Sequence, residues 1–240
     1  MKKDKTIIIT GSASGLGNNI SKLLKQNGYF IIGLDQKYFE DQEGPGNEYV
    51  DYRIPCDLSD LESIVNIAQE IVDKVNSIDV IINNACGFFL RRLGEELNLQ
   101  ELEKNTNINF NAPLILLNEL KKSIEKSPSP LVINISSVSA YGSPFSSHYC
   151  MSKGALLSLT KAINEEFRIH GNIRAVSLVP GTIGAGHSLR ESVLAITPIE
   201  GKDPIIDQIF VSKKILDIIK NCENYYEEEV IIKPHKKNIL

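Results

Sequence analysis

Tyr149 and Lys153 stand four positions apart in a stretch with helical patterning, so both side chains project from one helix face. A free phenol, with a pKa of about 10, is a poor base near neutrality. Lowering that value by ~3 units takes ~4 kcal/mol of preferential stabilisation of the phenolate. An ammonium one turn away is suited to that task, and a phenol so tuned can exchange a proton with a substrate oxygen. A second feature is the run Ile7-Ile8-Ile9-Thr10-Gly11-Ser12-Ala13-Ser14-Gly15-Leu16-Gly17, an apolar strand entering a glycine turn and then a helix. Such a turn passes close under a pyrophosphate, where a Cβ would block the approach. The helix opening near Gly15 points its free N–H groups and positive end at the phosphates. The next strand ends at Gly33-Leu34-Asp35, which puts an acid about 20 residues beyond the turn, where it accepts hydrogen bonds from an adenosine ribose diol and repels a 2′-phosphate. Gln36 follows directly and Ser12 to Ser14 carry no charge, so NAD is expected ahead of NADP, with Lys37 the nearby cation.

Positioning these groups requires strands and helices in alternation. Short β-branched runs at residues 6–10, 29–34, 49–55, 79–83, 131–136, 173–179 and 230–233 read as strands. Most are continuously apolar, as in strands covered on both faces. Helices are predicted over residues 16–27, 61–76, 147–170 and 203–221, with two helical segments within 98–126. Asn27-Gly28 and His170-Gly171 supply stop signals, and Ser59 or Asp60 supplies an N-cap. This βα alternation predicts an α/β fold, a Rossmann-like doubly wound parallel sheet of about seven strands with helices on both faces. No repeat, linker or composition shift divides the chain, so residues 1–240 read as one domain, with 35–47 and 181–203 the irregular stretches.

Composition narrows the function classes. With 42% hydrophobic and 23% charged residues the chain is ordinary globular protein, long enough to bury a core without disulfides or metal. A net charge of -4 argues against a general nucleic-acid or anionic-membrane binder. The lysines at both chain ends read as solvated tails. Cys56, Cys86, Cys150 and Cys222 lack paired metal spacing and read as reduced thiols, and no His/Cys/Asp arrangement recommends a metal. No run reaches membrane-spanning length, so a cytoplasmic location is expected.

Taken together, Thr10-Gly11-x-x-x-Gly15-x-Gly17, Cys56-Asp57-Leu58, Asn83-Asn84-Ala85, Asn109, Ile135-Ser136-Ser137, Tyr149-x-x-x-Lys153 and Pro180-Gly181-Thr182-Ile183 follow in the order found in short-chain dehydrogenases/reductases, and the chain resembles that family over most of its length. The resemblance implies an enzyme that transfers hydride between a nicotinamide cofactor and an alcohol or carbonyl. It assigns catalytic roles to Asn109, Ser137, Tyr149 and Lys153. Tyr149 exchanges the proton, Ser137 donates a hydrogen bond to the substrate oxygen, Lys153 also holds the nicotinamide ribose, and Asn109 holds a water linking Lys153 to solvent. The cofactor would lie against Gly11, Ser14, Gly15, Leu16, Gly17, Asp35, Asp57, Leu58, Asn84, Ala85, Tyr149, Lys153, Pro180, Gly181 and Ile183. Ser137 is preferred to Ser136 by its place in the family's double-serine pattern.

Three positions depart from that pattern. Cys86 stands where Asn-Asn-Ala is usually followed by glycine, Ala185 replaces a threonine of the nicotinamide side, and the chain ends without an Asp-Gly-Gly terminus. The resemblance further implies a homodimer or homotetramer in which the helices of Asn109 and Tyr149 pair across a two-fold axis, with residues 181–203 covering a small-molecule substrate. Arg91, Arg92, His148 and His187 are polar groups near the expected site, each with a plain surface or packing explanation. Two rival readings remain: an NADPH-dependent 3-oxoacyl-thioester or ketone reductase, and a dinucleotide-binding regulatory or scaffold protein without the reaction.

Overall fold

The structure, a computed structural model, describes residues 5–40, 47–89, 91, 93–144, 147–184, 205–225 and 227–233. The isoleucine-rich strands send alternate side chains to opposite faces. Ile8 packs into one apolar cluster, and its neighbours Ile7 and Ile9 pack into another. Both faces of the sheet are therefore core, which explains why these strands read as unbroken apolar runs.

The described elements are β1 (Thr6–Thr10), α1 (Gly15–Gln26), β2 (Phe30–Asp35), β3 (Tyr52–Pro55), α2 (Leu61–Lys74), β4 (Val80–Asn83), α3 (Leu99–Thr106), α4 (Ala112–Ile124), β5 (Leu131–Ile135), α5 (Ser147–His170), β6 (Arg174–Pro180), α6 (Gln208–Lys220) and β7 (Glu229–Ile232). The strands form one parallel sheet in the order β3-β2-β1-β4-β5-β6-β7. α1 and α6 cover one face through Ile20, Leu24, Val211 and Ile215. α2, α4 and α5 cover the other through Ile64, Leu116, Leu120 and Ile163. The strand order reverses between β1 and β4, so a crevice opens beyond their carboxyl ends, where such sheets bind ligands.

Three local differences from the sequence reading have physical causes. β3 begins at Tyr52 rather than residue 49, because Asp51 turns its carboxylate to the Ile31 N–H at 2.9 Å and pairs with Lys25. The Asp60 side chain, rather than Ser59, caps α2 by accepting from Ser63 N at 3.1 Å. The two segments within 98–126 are joined without a break by a π-helical turn, Asn107–Asn111, that carries Asn109.

α5 is docked by a buried polar row. Asn83, Asn134 and Ser177 lie in register across β4, β5 and β6. Asn83 Nδ2 donates to Asn134 Oδ1 at 2.8 Å, Asn134 Nδ2 donates to Thr160 Oγ1 of α5 at 2.9 Å, and Thr160 shares a 2.6 Å hydrogen bond with Ser177. These bonds pair most of the buried polar atoms of the row, with Asn83 Oδ1 left without a partner among the described residues, and they set the position of α5 along the sheet. Among the described residues no helix is long and apolar enough to cross a membrane.

Candidate active site

The glycine turn is shaped by contacts that its residue types dictate. A Cβ on Gly17 would lie 1.9 Å from the Gly11 carbonyl oxygen, so only glycine lets α1 start this close to β1. Gly15 has φ +54, and a Cβ there would meet nothing within 4 Å, which leaves open space over the first turn of α1. Ser14 sits at the N-cap without a side-chain cap bond, and no acid occupies the first turn, so the helix end keeps its anion-binding character. Leu16 lies half-buried beside it.

Asp35, at the end of β2, is 8% exposed. Its Oδ2 accepts from Ala13 N and its Oδ1 from Lys37 N, both at 2.9 Å. Thus the acid is a brace between the glycine turn and the β2 loop as well as a group able to meet a ribose. Ser12 and Tyr38, both fully buried, reinforce that brace with a 2.9 Å hydrogen bond between their hydroxyls. Asp57 accepts from Ser59 N at 2.9 Å and Ser59 Oγ at 2.7 Å. Burial pushes its carboxyl up, but these two bonds and the Lys104 charge outweigh burial and hold it below its ordinary value. Leu58 is 7% exposed and belongs to the core.

Asn84 and Ala85 lash β4 to β1. Asn84 Nδ2 donates to the Thr10 and Gly11 carbonyls at 2.9 and 3.2 Å, and the Asn84 and Ala85 N–H groups donate to Thr10 Oγ1 at 3.0 Å each. The Asn84 amide therefore holds the turn together. On the other side of the crevice, Pro180 ends β6, Gly181 N donates to Ile232 O at 3.0 Å, and Ile183 bridges to Ile206. Thr182 is exposed. Ala185, His187 and Ser188, with the rest of residues 185–204, lie outside the described residues, as do Arg92 and most of the 181–203 segment.

At the carboxyl end of β5 the two serines part company. Ser136 is buried and donates to the Lys153 carbonyl at 2.8 Å. Ser137 is half-buried; its Oγ accepts from Ser139 N at 3.1 Å, and it favours the ionised form of the Tyr149 phenol. The structure thus brings Ser137, Tyr149 and Lys153 together. Lys153 is 2% exposed and donates its ammonium to the Ile135 carbonyl at 2.8 Å, 5.6 Å from the centroid of the Tyr149 ring.

Two observations bear on the expected roles of Tyr149 and Asn109. Burial pushes the Tyr149 phenol well above its ordinary value, Cys86 and Cys150 add to that, and Ser137 opposes it. Both amide hydrogens of Asn109 and one acceptor site of its Oδ1 are taken by protein groups. Its Oδ1 accepts from Gly87 N at 2.7 Å, and its Nδ2 donates to Gly87 O at 2.8 Å and Ser152 Oγ at 3.1 Å. Both amide hydrogens are used, so Asn109 acts as a clamp on the loop after β4 and ties the π-helical turn to α5.

The sequence reading also missed Phe88 and Phe89. Phe88 meets the Tyr149 ring edge-on, with centroids 4.9 Å apart, and Phe89 stacks on His148 at 3.5 Å. Two adjacent aromatics after the Asn-Asn-Ala run were the available signal. They grip successive residues at the start of α5. Arg91, exposed, pairs with Glu101 at 3.8 Å.

A family model described as short chain dehydrogenase matches residues 5–192. The chain belongs to the short chain dehydrogenase family. As a member it is an NAD(P)-dependent dehydrogenase/reductase. It is 34% identical over 183 residues to the 3-oxoacyl-acyl-carrier-protein reductase FabG of Rickettsia prowazekii (strain Madrid E), covering 75% of this chain and 73% of that protein. Among solved structures it resembles 4-hydroxyisoleucine dehydrogenase complexed with NADH, at TM-score 0.77 and 25% identity over 95% of this chain and 96% of that one. It also shares the fold of a metagenomic short-chain oxidoreductase in complex with NADP, at TM-score 0.79 and 21% identity over 96% and 97% of the two chains. In this short chain dehydrogenase the matched stretch takes in both ends of the crevice.

Proposed function

We propose that the chain is an NAD(H)-dependent oxidoreductase that interconverts an alcohol and a carbonyl, with Tyr149 exchanging the proton. The observation that carries this reading is the Tyr149 ring lying 5.6 Å from the ammonium of the buried Lys153, with Ser137 acting on the phenol from the carboxyl end of β5. Two neighbouring hydroxyls can share one substrate oxygen. Ser137 orients it, and a phenol kept protonated by its surroundings is a ready donor to a carbonyl.

The residues fit a dinucleotide. The open space at Gly15 and the free N-terminal turn of α1 suit a pyrophosphate held by Gly11, Ser14, Gly15, Leu16 and Gly17. Asp35 would take the adenosine ribose, and Asp57 with Leu58 the adenine. Asn84 and Ala85 would line the path between the halves. Pro180, Gly181 and Ile183 would face the nicotinamide, with Tyr149 and Lys153 at its ribose. NAD(H), when bound, supplies the hydride acceptor or donor. The preference for NAD rests on the buried carboxylate of Asp35, whose fixed charge repels a 2′-phosphate. The homodimer or homotetramer, the single domain over residues 1–240, the cover formed by residues 181–203 and the cytoplasmic location remain part of this proposal.

A second reading, an NADPH-dependent 3-oxoacyl-thioester reductase, is favoured by the 34% identity to FabG. One assay series tests both. Tyr149→Phe is expected to lower turnover at least ~100-fold with NADH binding nearly unchanged, since the ring keeps its contact with Phe88. Equal turnover in the variant refutes the role of Tyr149. At equal concentrations NADH is expected to outperform NADPH, and a large preference for NADPH with an acyl thioester favours the second reading.

A further inference from the structure

Gly33 lies inside β2, and the room left by its missing side chain is filled by a buried pair of hydroxyls. A Cβ there would stand 2.4 Å from Ser12 Oγ, 2.8 Å from Val50 Cγ1 and 3.0 Å from the Tyr38 hydroxyl. Ser12 and Tyr38 are both fully buried, and their hydroxyls share a 2.9 Å hydrogen bond. Each is next in the chain to a residue that holds Asp35. Ala13 N donates to Oδ2 and Lys37 N to Oδ1, both at 2.9 Å. The glycine turn, the Asp35 carboxylate and the short helical turn Gln36–Phe39 therefore form a closed ring, which the Ser12–Tyr38 bond completes. Burial pushes the Tyr38 phenol above its ordinary value, against the Ser12 hydrogen bond, so the hydroxyl stays neutral and the pair does not titrate near neutral pH.

We propose that Tyr38 is a positioning residue for cofactor choice: through Ser12 it holds the Asp35 carboxylate against the glycine turn, so the chain discriminates NAD(H) from NADP(H) by a charge that cannot swing away. A carboxylate on a free loop can withdraw from a 2′-phosphate, and the repulsion falls as the charges separate. Held at both oxygens, it keeps its place, and a ribose diol meets it without an added ordering cost. Each oxygen gives one acceptor site to a main-chain N–H and keeps another for a ribose hydroxyl. Removing the Tyr38 hydroxyl leaves the buried Ser12 hydroxyl without this partner and cuts the only side-chain tie between the two segments that grip Asp35 among the bonds described above. The exposed Lys37 sits on the turn so released, and its cation can meet a 2′-phosphate once the carboxylate moves. Selectivity then falls on both counts.

This inference rests on Asp35 being the selector for NAD, and the experiment separates the two. Dissociation constants for NADH and NADPH are measured by fluorescence titration, without turnover, for the natural chain, Tyr38→Phe, Ser12→Ala, Asp35→Ala and the double variant Tyr38→Phe with Asp35→Ala. A thermal melt shows that each is folded. Tyr38→Phe and Ser12→Ala are each expected to shrink the preference for NADH over NADPH by about 3- to 10-fold, the worth of one hydrogen bond. Tyr38→Phe is expected to shrink it no further once Asp35 is replaced. A packing role alone would weaken both cofactors by the same factor. A preference unchanged in both single variants, while Asp35→Ala collapses it, overturns the role of Tyr38 alone. A Tyr38→Phe shift that persists undiminished without Asp35 overturns action through the carboxylate. A preference that Asp35→Ala leaves unaltered overturns the underlying reading and the proposal with it.

Discussion

Replacing Asn109 by alanine separates holding the site together from taking part in the reaction. The carboxamide is 1% exposed, and its loss removes three hydrogen bonds at 2.7, 2.8 and 3.1 Å. Ser152 Oγ keeps its own 3.0 Å bond to the Tyr149 carbonyl, so the lasting cost falls on Gly87 N–H and C=O. A buried backbone group left without a partner costs about 1–3 kcal/mol. Gly87 is half-buried, so water recovers part of this and the pair is expected to cost about 3 kcal/mol. In urea, with a slope of about 3 kcal/mol/M, the unfolding midpoint should fall by roughly 1 M. Freed from its clamp, the 86–88 loop loosens against Tyr149, so turnover should fall in the same variant. An unfolding midpoint left unchanged together with lost turnover would refute the clamp and return the Asn109 carboxamide to the reaction itself.

Two further outcomes are expected. Gly17→Ala drives a Cβ to 1.9 Å from the Gly11 carbonyl, so the turn must open; overpacking of this kind costs about 1–3 kcal/mol. NADH affinity by fluorescence should drop by at least ~10-fold, and unaltered affinity would reject the α1 turn as the pyrophosphate site. His148 is held below its ordinary value of 6.5 by burial, with Glu101 opposing, so it is neutral in the fold and gains its proton more readily when unfolded. Stability from this group is present above pH 6.5 and is lost as pH falls below it. His148→Phe should flatten that acid-side decline in thermal melts, and an unchanged slope would count against the buried imidazole as its source.

Much of this molecule is legible in the sequence because its signals are local. Runs such as Ile7-Ile8-Ile9 fit only a strand covered on both faces, and the glycines at 11, 15 and 17 answer to steric limits within a few residues. The helix spacing of Tyr149 and Lys153 likewise needs no distant partner. What the sequence could not decide is where a polar group spends its hydrogen bonds, since the partners are far along the chain. Asn109 faces Gly87 and Ser152, and Ser136 turns inward to Lys153 while Ser137 stays beside Tyr149. Each donor and acceptor has a fixed capacity, and leaving a buried one unpaired costs free energy. Only the packed arrangement of β4, β5 and α5 determines which side chains hold the site together and which remain free to act on a substrate.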